Sequence, residues 1–204
     1  MNSQNNEEQL IIDYFRGRVG TALDIGANDG ITLSNSYAAI MRGWSGVLVE
    51  PSPEAFDRLS DLYADNDKVE CIMAAIGTMN ARMDLHDSGE HLGTGDVALL
   101  STLLSSERVK WEMSGNTFTL DECDVITFQT LLDAHTRRKH FDLITIDAEG
   151  MDLDILRQMD LTALGCDMLI IEHEHSDINA MLRYGRKHGL KELTRNRQNL
   201  IMAR

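Results

Sequence analysis

The stretch LDIGANDG, residues 23–30, decides how this sequence folds. It closes a short apolar run, Thr21–Ile25, that has the length of a buried strand, and it precedes a helix-like segment at 32–42. Gly26 and Gly30 permit positive φ angles and a close approach of the backbone to a ligand. The stretch is therefore predicted to be a strand–turn–helix junction, where parallel α/β sheets bind their ligands.

Further short apolar runs follow, and helix-like segments separate them. Such runs are typical of strands that are buried on both faces of a parallel sheet. The alternation predicts an α/β fold with a doubly wound, Rossmann-like sheet. The predicted strands are 21–25, 47–50, 69–74, 141–146 and 168–171, and the predicted helices are 7–16, 32–42, 53–64, 127–138, 151–159 and 176–188.

Two segments depart from this alternation. Residues 77–124 contain short alternating pieces that predict a β-rich insertion, and its glycine-rich part, 88–96, indicates either a lid or an ordinary surface loop. Residues 190–194 and 200–203 predict a terminal antiparallel hairpin at the sheet edge. Because the chain has only two prolines and no low-complexity linker, residues 1–204 predict a single domain, with an N-terminal helix within 1–20.

Composition limits the partners. A net charge of −14 argues against a nucleic-acid partner, because Lys and Arg side chains supply most of the affinity for phosphates. No apolar run approaches the length of a membrane span, and the polar, acidic N-terminus does not resemble a signal peptide. Three scattered cysteines fit a reducing compartment. We therefore expect a soluble, cytoplasmic protein with neither a nucleic-acid nor a membrane partner.

The turn at 26–30 is poorly suited to a dinucleotide. In the GxGxxG fingerprint the second glycine is replaced by Asn28, and Asp29 would repel a pyrophosphate. S-adenosylmethionine has no phosphate and carries a sulfonium and an ammonium group, which suit Asp24 and Asp29. Glu50 ends the second strand and can accept hydrogen bonds from the ribose hydroxyls of either cofactor. The sequence favours S-adenosylmethionine; the alternatives are an NAD-dependent oxidoreductase and a non-catalytic S-adenosylmethionine-binding domain.

Two polar clusters, IDAEGMDLD (146–154) and IIEHEH (170–175), follow neighbouring predicted strands and should converge over one crevice. Methylation of an alcohol requires removal of a proton, for which His173 or His175 is the candidate base and Glu149 the alternative. Ordinary loop hydrogen bonds are the competing interpretation of both histidines. The same cluster could hold Mg²⁺. The ligands would then be Asp147, Glu149, Glu172 and His173.

Other polar residues carry weaker signals. Asp152 and Asp154 are expected to favour the first turn of the following helix. His86, His91 and Trp111 lie in the insertion and are candidates for contact with the acceptor, although no spacing singles one of them out.

In their order and spacing, these motifs resemble the FkbM-type family of class I S-adenosylmethionine-dependent methyltransferases. The resemblance rests on LDIGANDG (23–30), GWSGVLVEPSP (43–53), AAIG (74–77), STL (101–103), FDLITIDAEGMDLDIL (141–156) and IIEH (170–173). It implies a seven-stranded, mostly parallel sheet with an antiparallel last strand and a β-rich insertion before the fourth strand. It also implies O-methylation of a small-molecule or glycan acceptor.

The resemblance further implies roles for individual residues. The methionine half of the cofactor would be lined by Asp24, Gly26, Asn28 and Gly30. Glu50 would hold the ribose, and Ala75 and Ile76 would face the adenine. Asp147 would lie beside the transferred methyl group.

Overall fold

A computed structural model describes residues 3, 5–174 and 176–204. Its strands are β1 (Thr21–Ile25), β2 (Ser45–Glu50), β3 (Val69–Met73), β4 (Ala75–Ile76), β5 (Ala81–Ser88), β6 (Phe118–Ile126), β7 (Leu143–Ile146), β8 (Met168–Glu172), β9 (Lys191–Arg195) and β10 (Asn199–Ala203). Its helices are α1 (Glu7–Phe15), α2 (Tyr37–Ile40), α3 (Pro53–Leu62), α4 (Ser105–Met113), α5 (Phe128–Thr130), α6 (Asp152–Leu156) and α7 (Ile178–Lys187), with a π-helical turn at Leu131–His135 after α5.

Seven of the strands form the central sheet, in the order β3-β2-β1-β7-β8-β10-β9. β1 pairs in parallel with β2 and with β7, whereas β10 is antiparallel to both of its neighbours, β8 and β9. The predicted mostly parallel sheet with an antiparallel last strand is thereby confirmed.

Both faces of this sheet are covered, as a doubly wound fold requires. On one face Ile11 and Phe15 of α1 pack against Trp44 and Ile170. On the other face, Ile144 of β7 belongs to a larger apolar cluster that includes Leu156 of α6. None of the helices in the described ranges combines the length and the apolar character that crossing a membrane requires.

The helix predicted at 32–42 is mostly a loop. Only Tyr37–Ile40 is helical, and Leu33 has a positive φ of 55°. Short polar side chains compete for the backbone here: Asp29 Oδ1 accepts from the Thr32 amide at 2.6 Å, and Ser34 Oγ accepts from the Tyr37 amide at 3.1 Å. The predicted helix is shortened, and residues 32–35 of the loop line a cavity.

The insertion is a small second sheet with a helix. Strands β4, β6 and β5 lie side by side in that order, with β6 antiparallel to β5 and parallel to β4. The predicted β-rich insertion before the fourth strand of the central sheet is confirmed. The alternating pieces did not predict α4, which has no strong apolar face; Val109 and Met113 are exposed on it.

Candidate functional site

A cavity of about 290 Å³ lies at the carboxyl ends of β1, β2, β7 and β8. Asp24, Glu50, Asp147 and Glu172 line it from these strand ends. The facing wall comes from the insertion, through residues 98–103 together with His91, Leu92 and Trp111. Its position is the one expected for a ligand site in an open α/β sheet.

Gly26 brings the ends of β1 and β7 together. It has a φ of 82°, and a Cβ atom there would lie 1.8 Å from the Asp147 carbonyl oxygen. Two hydrogen bonds fix this approach, because the Gly26 amide donates to Val49 O at 3.0 Å and the Asp147 amide donates to Ile25 O at 2.9 Å. Only glycine fits at this point of the cavity floor.

Asn28 and Glu50 form one unit at the end of β2. The backbone amides of Asn28 and Ser52 donate to the two carboxylate oxygens of Glu50, at 2.9 and 2.8 Å. Burial raises the pKa of Glu50 to about 7, although these two hydrogen bonds oppose the shift. The Asn28 side chain also donates to the Val97 carbonyl at 2.7 Å, which ties the cofactor turn to the insertion.

Gly30 does not line the cavity, contrary to the expectation. A Cβ atom there would meet the side chains of Leu59, Leu62 and Tyr63 at 2.7 to 3.1 Å. Gly30 therefore allows the turn to pack against α3. Ala75 and Ile76 of β4 do line the cavity, with their backbones paired to β6.

A polar layer surrounds Asp24. Ser36 Oγ donates to its carboxylate at 2.5 Å, and Asn35 Nδ2 lies 3.4 Å from Thr145 Oγ1 on the neighbouring strand β7. Burial raises the pKa of Asp24 to about 7. The sequence motif SNSY, 34–37, thus supplies the partner of the strand-end acid.

The loop after β7 is an acidic turn with an unusual backbone. Glu149 has a φ of 45°, in the left-handed region that favours glycine. The Asp152 carboxylate holds this turn, because it accepts from the amides of Ala148 at 2.8 Å and Gly150 at 3.2 Å. Thr102 of the insertion adds a hydrogen bond to the Glu149 carbonyl at 2.9 Å.

Three carboxylates meet behind this turn. Asp147, Asp152 and Glu172 each place an oxygen within 4.8 Å of the other two. The predicted metal set therefore changes, since Glu149 and His173 are outside this group and Asp152 is in it. The sequence predicts only that Asp152 lies in the first turn of the helix. Its spacing to Asp147 does not show that it also lies near Glu172 of β8.

Burial, and after it the crowding of like charges, raises the pKa values of these acids. The side chain of Asp147 is open to the cavity. Desolvation by the surrounding protein, and then the charges of Asp152 and Asp24, raise its pKa to about 7. Burial followed by the charge of Asp147 raises the pKa values of Glu149 and Glu172 well above the usual range. Both shifts favour the protonated form of the carboxyl group.

His173 does not line the cavity. Its ring Nε2 donates to the Asn196 carbonyl at 3.1 Å, and its amide donates to Gln198 O at 2.8 Å, so its side chain is directed to the β9–β10 turn. The geometry contradicts its predicted place at the reacting centre. The other candidate histidine, His175, lies outside the described residues.

The donor set of the cavity suits a cationic ligand without phosphates. Carboxylates from four strand ends face it, and Arg197 is the only Lys or Arg among the described residues that line it. A pyrophosphate would meet mainly repulsion here, whereas sulfonium and ammonium groups would be stabilised. The side chains present therefore fit S-adenosylmethionine.

Comparisons with known proteins agree with this fit. A family model described as the methyltransferase FkbM domain matches residues 24–191. A search of curated proteins found no match.

Several solved structures share the fold. An FkbM methyltransferase from Methylobacillus flagellatus KT has a TM-score of 0.56 at 16% identity, covering 91% of this chain and 44% of that chain. A methyltransferase from Geobacter sulfurreducens has a TM-score of 0.54 at 12% identity, covering 100% of this chain and 82% of that chain. A putative RNA methyltransferase from Pyrococcus horikoshii has a TM-score of 0.51 at 12% identity, covering 97% and 79%.

At these identities the structural likeness shows the fold alone, and this chain spans less than half the length of the M. flagellatus protein. The family match, by contrast, includes Asp24, the glycine turn, Glu50, the insertion and the acidic turn after β7. It decides against the NAD-dependent alternative, and the chain belongs to the FkbM family of S-adenosylmethionine-dependent methyltransferases.

Proposed function

We propose that this protein transfers the methyl group of S-adenosylmethionine to a hydroxyl group of a small molecule or a glycan. The observation that carries the proposal is the arrangement of acids around one cavity: Asp24 and Glu50 lie on the neighbouring strands β1 and β2, and Glu149 contacts Thr102 and Trp111 of the insertion. We assign the cofactor to the first pair and the acceptor to the part of the wall beside Glu149.

The residues that would hold the cofactor are those of the strand ends. Glu50 is fixed by two backbone amides and would accept hydrogen bonds from the ribose hydroxyls. Asp24 and Asp147 would face the positively charged methionine half, with Asn28 and Gly26 at the turn between them. Ala75 and Ile76 would contact the adenine. When bound, S-adenosylmethionine supplies a methyl group on a good leaving group.

The acceptor would lie between Asp147, Glu149 and the insertion. Burial raises the pKa of Glu149 well above its usual range, and a protonated Glu149 would donate a hydrogen bond to an acceptor oxygen. Asp147, whose pKa is raised to about 7, can orient a hydroxyl group or share its proton. In this arrangement the protein would align the acceptor with the methyl group, which is what an in-line displacement requires.

Calorimetry tests the cofactor assignment. Titration with S-adenosylmethionine, S-adenosylhomocysteine and NAD should give binding of the first two and none of the third. Glu50→Ala should weaken binding by roughly 30-fold or more, because a charge-assisted contact contributes about 2–3 kcal/mol. Glu54→Ala is the matched control, since Glu54 is exposed and pairs with Arg58. Equal affinities of the two variants would contradict the role of Glu50.

A screen of acceptors tests the reaction. Hydroxylated small molecules and oligosaccharides are incubated with the protein, and release of S-adenosylhomocysteine is measured. Turnover with a hydroxyl compound supports the proposal. Cofactor binding without turnover of any acceptor would instead support the non-catalytic alternative.

The acidity of the acceptor end favours a second candidate, methylation of an amine. A protonated amine would offset the charge of Asp147, which lines this cavity. Polyamines and amino sugars therefore belong in the screen. Turnover of amines alone would replace the hydroxyl acceptor by an amine and leave the cofactor assignment unchanged.

The proposed reaction requires no metal ion, and chelation tests this point. Dialysis against EDTA should leave turnover unchanged. If turnover were lost and then restored by Mg²⁺, the carboxylates of Asp147, Asp152 and Glu172 would be the ligands to substitute first.

A further inference from the structure

We propose that His91 is the general base of the methyl transfer and that Asn116 positions its ring. The inference rests on the proposed function, because the acceptor must have a proton to lose.

His91 lies in the part of the cavity wall that the insertion contributes. Its ring packs edge-on against Trp111, with 5.9 Å between the ring centroids. The Trp111 indole nitrogen lies 3.4 Å from Glu149 Oε2. Through Trp111, His91 is therefore next to Glu149, in the part of the cavity to which the proposed function assigns the acceptor.

Hydrogen bonds assign the protons of the His91 ring. Asn116 Nδ2 donates to the Trp111 carbonyl at 3.2 Å, which fixes the orientation of the Asn116 amide. Its oxygen, Oδ1, then lies 2.8 Å from His91 Nδ1. An amide oxygen can only accept, so Nδ1 must carry the proton. The neutral ring consequently has its lone pair on Nε2, which forms no hydrogen bond with any described residue.

The backbone at His91 is held independently of its side chain. The buried carboxylate of Asp96 accepts from the amides of His91 at 2.8 Å and Leu92 at 2.9 Å. The same loop is anchored at Val97 by Asn28 and at the Gly95 carbonyl by Arg58, at 2.8 Å. A change of the His91 side chain should therefore leave the loop in place.

In the proposed step two bonds form and two bonds break. The acceptor oxygen forms a bond to the methyl carbon and loses its proton to Nε2 of His91, while the sulfur keeps the electron pair of the broken carbon–sulfur bond. The positive charge moves from the sulfonium to the imidazolium. Asn116 Oδ1 still accepts from Nδ1–H of the imidazolium, so the ring does not have to turn during the step.

Turnover of His91→Gln is the first test. We expect kcat to fall about 100-fold or more, since general base catalysis contributes roughly 10²–10⁴-fold. The dissociation constant of S-adenosylhomocysteine should stay within about twofold of the wild-type value. His86→Gln is the matched control, because His86 lies in β5, 3.1 Å from Ser105 Oγ, and does not line the cavity. Unchanged kcat in His91→Gln would overturn the proposal.

The second test measures the ¹⁵N chemical shifts of the histidine ring nitrogens by NMR, at a pH at which the rings are neutral. This measurement needs no acceptor. His91 should show a protonated Nδ1 and a bare Nε2. Asn116→Ala should shift the ring toward a mixture of tautomers and lower kcat, whereas Asn116→Asp keeps an oxygen at Nδ1 and should retain the wild-type tautomer. A protonated Nε2 in the wild-type protein would refute the assignment, even if no acceptor is found.

The two tests separate the possible failures. Wild-type turnover that survives in His91→Gln refutes the base and leaves the methyltransferase reaction intact. Absence of turnover with every acceptor counts against the proposed function, while the NMR result still decides whether Asn116 holds the His91 ring as inferred.

Discussion

Replacing Gly26 by Ala should damage both the stability and the site. The substitution adds a Cβ atom that would lie 1.8 Å from the Asp147 carbonyl oxygen. A backbone carbonyl cannot rotate away as a side chain can. The hydrogen bonds from Gly26 to β2 and from Asp147 to β1 oppose any separation of the two strand ends.

The magnitude has two parts. A non-glycine residue in the left-handed region costs about 1–2 kcal/mol. Forcing an additional atom into a packed interior costs roughly a further 1–3 kcal/mol. Gly43→Ala isolates the first part, because Gly43 has a φ of 92° and no atom within 4 Å of its would-be Cβ.

Urea unfolding of the two variants, followed by circular dichroism, measures the difference. We expect Gly26→Ala to lose about 1–3 kcal/mol more than Gly43→Ala. We also expect only Gly26→Ala to bind S-adenosylhomocysteine more weakly, because the displaced backbone carries Asp147 with it. Equal losses of stability would refute the argument that the approach of β1 to β7 requires glycine.

Two further predictions concern buried acids. The folded-state pKa of Asp24 is raised from 3.8 to about 7, so the folded protein retains this proton and stability falls as pH rises from about 4 to about 7. At about 1.4 kcal/mol per pH unit, the loss of stability over this range is a few kcal/mol. Asp24→Asn should therefore give a flatter curve of unfolding free energy against pH. An unchanged curve would contradict the raised pKa of Asp24. Glu7→Ala should destabilise the protein by about 1–3 kcal/mol in urea, because Asn196 and Asn199 donate to the Glu7 carboxylate at 2.7 and 2.9 Å. Asp13→Ala, at an exposed position of the same helix, should change the stability by less than about 0.5 kcal/mol, and equal effects would show that the Glu7 contacts do not matter.

The central sheet could be predicted because its signals are local. Each buried strand is a short apolar run. A glycine at the end of one such run is enough to predict the positive φ of Gly26. Asp24, Glu50 and Asp147 could be placed at one edge because parallel topology brings strand ends together.

The remaining features depend on contacts that spacing does not encode. Gly30 has the same residue type as Gly26 but packs against α3, and nothing in the local sequence distinguishes the two environments. Residues 31–36 contain no proline that would exclude a helix, yet the side chains of Asp29 and Ser34 bind the backbone of the loop. His173 follows a strand that ends at the cavity, and the sequence therefore predicts it at the site. In the structure its ring Nε2 donates to the Asn196 carbonyl in the β9–β10 turn instead.

Residues of the insertion were the hardest to assign. Asn116 and His91 are 25 positions apart, and their pairing depends on how the chain returns after α4. A signal was nevertheless present in the sequence, since His91 and Trp111 were the polar and aromatic residues of a segment expected to approach the acceptor.

The hydrogen bond from Asn28 to the Val97 carbonyl has a consequence for protein engineering. The floor of the cavity comes from the strand ends, whereas its opposite wall comes mainly from the segment 91–103, with Trp111 of α4 beside it. Exchanging this segment for that of another family member should transplant acceptor preference without rebuilding the cofactor side. In such a chimera, residue 97 has to keep its backbone carbonyl within hydrogen-bond distance of the Asn28 side chain.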